Sequence, residues 1–549
     1  MNVAFKQGGG RVRLGKMRVI VAAAMTLLVM SAAHADETST VKQVSLDGEL
    51  SATIRGSIET ETQKLIGKTV DRAQAQSVAQ QLTDILRKAG YPVGTILVTD
   101  QEWTSFIHSG DLHLRVFQGE VGRVVVQKNN SQVSNTRLQR TAMQALCGRT
   151  ESSCALTSEG IERAELLLQD LPGVQLDLVS LSPEGVGVGQ TSVGINADAS
   201  ERRLTGAVSV DNYGVVASGI TRFNVGGQFS NLFHQGDVFQ LGGQVTNRGQ
   251  YTGLVGFSMP LGYSGWRVAG SAARTSYDLP QVDASGMAAT GDIGISYPIA
   301  RALDKNWVVG LDGYDTVSKQ TVNDESAFAP RHLAGVRLSL VGNAGDRALD
   351  QGGSFWSGSL VGTAGRVAQS LPGLDITNTV GHYDKLAASL FDKQMLGNSN
   401  WYTLVNLHAQ VADRNLDPYE AMSVGGVTGV RGYSASEGTV NQGVLLSTEL
   451  RRLFVLPDGS KLAPGVWIDY LYGKVLHDPY PGWQTALGYT NSSMSNERSL
   501  GAWGLGLDYA SPLGINGALT IGWKMPGSKP SAVGDGGGPY VLVTVGTRF

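Results

Sequence analysis

Cysteine is almost missing from this chain, with two residues in 549. That excludes a disulfide-dense scaffold and a multi-cysteine zinc or iron–sulfur site. Charge is also scarce: Asp, Glu, Lys and Arg make up 17 % of residues, against about 25 % in an average protein. The net charge of −3 offers no basic excess to neutralise phosphates, so no nucleic acid is expected as a partner. Long apolar runs are lacking. After residue 35 no stretch approaches 18 consecutive apolar residues, and the mean hydropathy of −0.06 leaves no room for a bundle of membrane helices. Any insertion into a bilayer must therefore use strands closed into a barrel, which leaves no backbone group unpaired in lipid. What is present in excess is glycine: 72 residues, nearly twice the usual share of about 7 %, and without the every-third spacing of collagen.

Residues 1–18 carry Lys6, Arg11, Arg13, Lys16 and Arg18 and no acid, and the apolar residues 19–33 follow, ending at Ala33-His34-Ala35. This pattern predicts a secretory signal peptide over 1–35, cleaved after Ala35. Met17 would itself begin a compact signal of ordinary length.

Residues 36–200 mix two periods. Residues 41–46 alternate like a strand, and residues 75–89 place Val78, Leu82, Ile85 and Leu86 at helical spacing before Gly90 and Pro92. Strands follow at 95–99 and 112–117. After Gly119 the pattern restarts with a strand at 121–128, helices at 136–146 and 158–169, and a strand at 174–181. Thr157 or Ser158 is the expected N-cap of the second of these helices. The simplest reading is two strand-helix-helix-strand-strand units of about 80 residues each, 36–119 and 120–200. Cys147 and Cys154 fall between the two helices of the second unit. In an exported chain such neighbours are expected to form a disulfide, because their spacing is too long for a C-x-x-C motif and no histidine lies close by.

From residue 203 to 549 glycine is dense and alternation prevails. Phe239, Leu241 and Val245 alternate with Gln240, Gly242 and Gln244, while Trp266, Val268 and Ala272 alternate with Arg267, Ala269 and Ser271. Such segments run to about 9–11 residues, the length of a tilted transmembrane strand. Tyr251, Trp266 and Tyr277 near their ends suit an interfacial girdle. The final strand, 540–549, sets Val541, Val543, Val545 and Phe549 on one face and Thr544 and Arg548 on the other. At about 20 to 22 residues per strand and connection, the region holds about 16 strands. The expected fold class is thus a transmembrane β-barrel of about 16 antiparallel strands preceded by two small α/β domains. Glycine there serves curvature, tight turns and bulges.

One stretch reads Ser423-Val424-Gly425-Gly426-Val427-Thr428-Gly429-Val430-Arg431-Gly432-Tyr433. It is accompanied, in order, by Asp211-Asn212-Tyr213-Gly214, by Met259-Pro260-Leu261-Gly262 with Gly265-Trp266-Arg267, and by Trp467-Ile468-Asp469. With two α/β units ahead, the chain resembles the two-partner secretion transporters (TpsB type) of the haemolysin secretion/activation family. The resemblance implies that the α/β units are polypeptide-transport-associated (POTRA) domains in the periplasm and that the barrel lies in the bacterial outer membrane. It also implies a loop around 423–440 that folds back into the barrel. There Arg431 of Val430-Arg431-Gly432-Tyr433 would pair with an inward-facing Asp469, Gly432 would permit a backbone turn, and Tyr433 would pack the loop tip against the wall. Phe549 would be the C-terminal assembly signal, with outer-membrane lipids and the barrel-assembly machinery as partners. The cargo would be a secreted exoprotein of haemolysin, adhesin or contact-dependent toxin type. Two departures from the family stand out. In Asp469-Tyr470-Leu471-Tyr472-Gly473 the family's glycine is displaced, and the few residues between Asp36 and the first strand predict no plug helix, leaving the Arg431 loop as the main closure.

The expected function is then capture of an unfolded partner exoprotein in the periplasm and its translocation to the cell surface without nucleotide hydrolysis; the chain has no P-loop. No cofactor, metal or catalytic residue is expected, since the histidines beyond residue 35 form no H-E-x-x-H or close cluster and the carboxylates show no paired spacing. The alternative within the same superfamily is a barrel-assembly insertase, which usually carries more than two POTRA domains.

Overall fold

The computed structural model describes residues 37–549, apart from 149–153, 201, 280–283, 323–324, 346–352, 371–374, 376, 398, 488, 490–491 and 529–536. The expected signal peptide at 1–35 lies outside those described, and among the described residues ahead of Gln43 only the short strand Ser39–Thr40 is formed. The chain divides near residue 200 into two compact units.

The N-terminal unit repeats one topology twice. In the first repeat Gln43–Asp47 runs parallel to Asp111–Phe117, which runs antiparallel to Thr95–Leu97. In the second, Glu120–Asn129 runs parallel to Gln190–Ala199, which runs antiparallel to Val174–Ser182. A parallel pair needs a long crossover, which helices Ala52–Gln63 and Arg72–Lys88 begin in the first repeat and Asn135–Cys147 and Ser158–Gln169 in the second. Leu82, Leu86, Phe106, Leu112 and Leu114 fill one core, and Leu138, Leu168 and Ile195 another. Two helices are additions to the sequence reading. Ala52–Gln63 buries only Ile58 and Thr62, a stripe too thin to register as amphipathic. Asp100–Ser109 is announced by a capping box: Thr99 accepts from the Glu102 N–H, and the Glu102 carboxylate accepts from that of Thr99. Of the two candidate caps at the later helix it is Thr157 that serves, its Oγ1 accepting from the Gly160 N–H at 3.0 Å. Cys147 and Cys154 are bonded, with Cα atoms 5.4 Å apart.

The second unit is a closed antiparallel barrel of 16 strands: β1 Leu204–Asp211, β2 Arg222–Ser230, β3 Val238–Thr246, β4 Gln250–Pro260, β5 Arg267–Leu279, β6 Ala284–Arg301, β7 Lys305–Val322, β8 Glu325–Gly345, β9 Ser354–Gln369, β10 Gly381–Met395, β11 Trp401–Ala412, β12 Gln442–Arg452, β13 Lys461–Lys474, β14 Glu497–Ala510, β15 Ile515–Lys524 and β16 Tyr540–Arg548. Each strand pairs with its sequence neighbours, and β16 returns to β1. The period-2 pattern is plainest in β13, where Val466, Ile468, Tyr470 and Tyr472 are exposed on the outside while Trp467, Asp469 and Leu471 are buried on the inside. An apolar exterior around a polar, partly filled interior inverts the soluble rule and matches a barrel in lipid. Strands β6 to β8 run to 18–21 residues, longer than a bilayer requires, so they continue beyond the apolar band. Tyr251 is exposed on the outer face and the Trp266 ring packs at a tilt against Tyr297, with centroids 4.9 Å apart. Tyr277, by contrast, stands on the inward face of β5, opposite in parity to the outward Ala272, and so is no part of the girdle.

The connections differ at the two ends. Those at the end where β1 begins are short, such as 231–237, 302–304 and 511–514, whereas the longest, 413–441 and 475–496, lie at the other. Residues 413–441, between β11 and β12, do not project outward. Their Asp417, Glu420, Arg431, Ser434 and Glu437 side chains are largely buried, which a loop in solvent would not require.

Candidate functional site: the loop inside the barrel

The loop keeps its shape through its own backbone. Met422–Ser423 pairs with Thr439–Val440, and inside this bracket the Val430 N–H donates to the Val424 carbonyl at 2.9 Å and the Gly426 N–H to that of Tyr433 at 2.9 Å. The bracket presents Arg431 at its tip.

The wall meets it through register. Ser447 of β12 lies opposite Asp469 of β13, and Glu449 opposite Trp467, so all four project from one inward patch. The Arg431 guanidinium lies in this patch. Its Nε donates to Asp469 Oδ2 at 2.8 Å, Nη2 to Asp469 Oδ1 at 2.7 Å and to Ser447 Oγ at 2.8 Å, and Nη1 to Glu449; the Arg431 backbone N–H adds a bond to Asp469 Oδ2 at 3.0 Å. The Trp467 ring covers the guanidinium face at 4.2 Å. Arg451 bonds the other oxygen of Glu449, and reaches Asp508 at 2.7 Å. Two arginines thus balance two buried carboxylates. Asp469 is 0 % exposed, so removing Arg431 strands an uncompensated charge at a cost of about 3–5 kcal/mol. A lysine could not replace it, because only the planar fork serves both carboxylate oxygens and stacks on an indole.

Val430 and Tyr433 are fully buried beside Arg431, and the Tyr433 hydroxyl donates to the Gly501 carbonyl at 3.3 Å. Gly432 is required for a reason other than the expected turn. A Cβ there would stand 2.5 Å from the Cβ of Ala502, so the loop backbone lies directly on β14. Gly504 and Gly522 make the matching space for Trp467, whose ring would meet their added Cβ atoms at 2.4 and 2.8 Å.

Sequence reasoning brought Arg431, Gly432, Tyr433 and Asp469 to attention but missed Glu449 and two further anchors. Near the start of the loop, Glu420 accepts from Arg337 of β8 at 3.1 Å and from Lys385 of β10, and Asp417 from Arg331 of β8 at 2.8 Å. Past the tip, Glu437 pairs with Arg498 of β14, and Ser436 Oγ accepts from the Val216 N–H, in the β1–β2 connection, at 3.3 Å. The loop therefore touches the wall from β8 round to the β1–β2 connection and lies across the lumen. Phe549 stands at the barrel seam, exchanging backbone hydrogen bonds with Gly206 of β1 at 2.9 and 3.0 Å. Cys147 and Cys154 lie apart from this site, in the N-terminal unit. Among the described residues no group of three or more His, Cys, Asp or Glu could hold a metal ion.

A closed 16-stranded barrel, apolar outside, filled by an inserted loop and preceded by tandem α/β repeats, is the architecture of an outer-membrane barrel protein. The chain belongs to the haemolysin secretion/activation family: residues 189–491 match the family described as haemolysin secretion/activation protein ShlB/FhaC/HecB. Over 426 residues it is 24 % identical to the heme/hemopexin transporter protein HuxB of Haemophilus influenzae, covering 74 % of this chain and 71 % of that one. In fold it is similar to CdiB from Escherichia coli, with a TM-score of 0.70 at 19 % identity over 96 % of this chain and 93 % of that one. CdiB from Acinetobacter baumannii gives a TM-score of 0.66 at 16 % identity over 94 % and 91 %. The barrel accordingly sits in the outer membrane, and the N-terminal POTRA repeats lie in the periplasm.

Proposed function

We propose that this transporter captures an unfolded partner exoprotein in the periplasm and passes it outward through the barrel, with the 413–441 loop as the element that must yield. The observation that carries this reading is the loop itself: it crosses the lumen, and its tip is held by a buried Arg431–Asp469 pair that can be broken without unmaking the barrel ladder. Capture is assigned to the edge strands of the two POTRA sheets, such as Gln43–Asp47 and Val174–Ser182, where an extended segment can add by main-chain hydrogen bonds and so tolerate varied sequence. Folding of the cargo at the cell surface opposes its return and supplies the drive without nucleotide. The cargo class is a secreted exoprotein; the relative HuxB is named for heme/hemopexin. Phe549 is the segment we assign to the barrel-assembly machinery, with outer-membrane lipids around the finished barrel.

The test is Arg431→Ala in cells. Export of the partner is expected to fall at least tenfold, in keeping with the loss of a buried charge pair, while the barrel still reaches the outer membrane in normal amount. Unchanged export would remove the role assigned to Arg431.

A further inference from the structure

We propose that Glu437 is a positioning residue: with Arg498 it forms a second latch of opposite polarity, so that the tip of the loop is released only when both latches break. Glu437 is 1 % exposed and Arg498 5 % exposed, and the two are joined through Arg498 Nη2 and Glu437 Oε1. The carboxylate is aimed by its backbone. Glu437 ends a short 3₁₀ turn in which its N–H donates to the Ser434 carbonyl at 3.1 Å, and Ser434 Oγ caps the turn through the Ser436 N–H. Gly438 follows at φ +105°, a conformation side chains rarely adopt, where a Cβ would also strike the Tyr489 hydroxyl at 2.5 Å. This local geometry fixes the backbone on both sides of Glu437.

The wall sites of the two latches are separate. Asp469 lies opposite Ala502 of β14, while Arg498 lies opposite Gly473 of β13, four residues further along and so about 13 Å away. Without Glu437 the segment past the tip could pivot about Arg431; the second latch fixes the orientation of the tip. Polarity adds direction. A reversed loop would set Arg431 against Arg498 and Glu437 against Glu449 and Asp469, like charge against like charge in a buried setting. A loop loosened at Arg431 alone is still held by Glu437, and the converse holds. This inference rests on the reading that the loop occupies the lumen at rest and leaves it during transport.

The experiment is ion conductance of the purified full-length protein in planar bilayers, with no exoprotein present. Wild type is compared with Arg431→Ala, Glu437→Gln, the double variant, and the exchanged pair Glu437→Arg with Arg498→Glu. Each single change is expected to raise the open probability at least tenfold and the double by about the product of the two, as for two independent holds. The exchanged pair is expected to close again toward wild type, which a merely space-filling Glu437 would not produce. A wild-type open probability in Glu437→Gln, or a double variant no more open than Arg431→Ala, overturns the proposal; if the exchanged pair does not insert, these two comparisons decide it. Because cargo is absent, failure here leaves the export reading to its own test, and failure of export leaves this measurement standing.

Discussion

A β-carbon at Gly432 would meet that of Ala502 at 2.5 Å, and the contact is backbone on wall, with no flexible chain end to give way. Gly432→Ala should therefore lift the loop off β14, at about 1–3 kcal/mol, and reduce export by roughly ten- to a hundredfold. Adding Ala502→Gly removes the opposing methyl and should restore most of the export. A Gly432→Ala variant that exports normally would show that the loop does not bear on β14 here. The four-residue motif made Arg431 and Gly432 legible, but the reason for Gly432 was not, because the contact with Ala502 exists only once the loop is inside the barrel. Glu449 was illegible for a related reason. An acid on the inward parity of a strand reads like any lumen-facing acid, and its meaning comes from lying opposite Trp467, a register set by pairing across a hairpin. Asp469 was legible because Trp467-Ile468-Asp469 carried it as a motif.

At the level of elements, the sequence pattern served best where one face is uniformly buried. Arg72–Lys88, Asn135–Cys147 and Ser158–Gln169 each carry a stripe of buried apolar residues and fall within a few residues of their predicted bounds. Ala52–Gln63 has no such stripe, and only packing against its repeat defines it. Strand ends followed the same logic. Strands β6 to β8 run to 18–21 residues, past the apolar band, so a length set by the bilayer alone fell short. Between two of these helices the Cys147–Cys154 bond closes a short connection. The paired change Cys147→Ser with Cys154→Ser should cost the second POTRA repeat roughly 2–3 kcal/mol by loop entropy. Hydrogen exchange should then quicken in Asn135–Cys147 and Ser158–Gln169 of the full-length protein, with barrel strands unchanged. Unaltered exchange in those helices would show the bond to be dispensable for stability.

Across the molecule, glycine divides by place. Outside the N-terminal unit it makes room: Gly504 and Gly522 for the Trp467 ring, Gly206 for the Phe549 ring at the seam. The seam is the thinnest join in the wall. β1 and β16 share five paired positions, against eight between β15 and β16, and past the last of them the Asn212 side chain bonds the Val541 carbonyl at 2.8 Å and the Val543 N–H at 2.7 Å. A wall so closed and filled by one loop is the architecture on which the proposed passage of a single exoprotein chain rests. The most direct measurement is to delete the gene and compare the surface and secreted proteins with the outer-membrane barrels of the same cells. Loss of one large exoprotein, restored by the wild-type gene and with other barrels assembled normally, is the result predicted; wholesale loss of outer-membrane barrels, or an unchanged exoprotein profile, would contradict it.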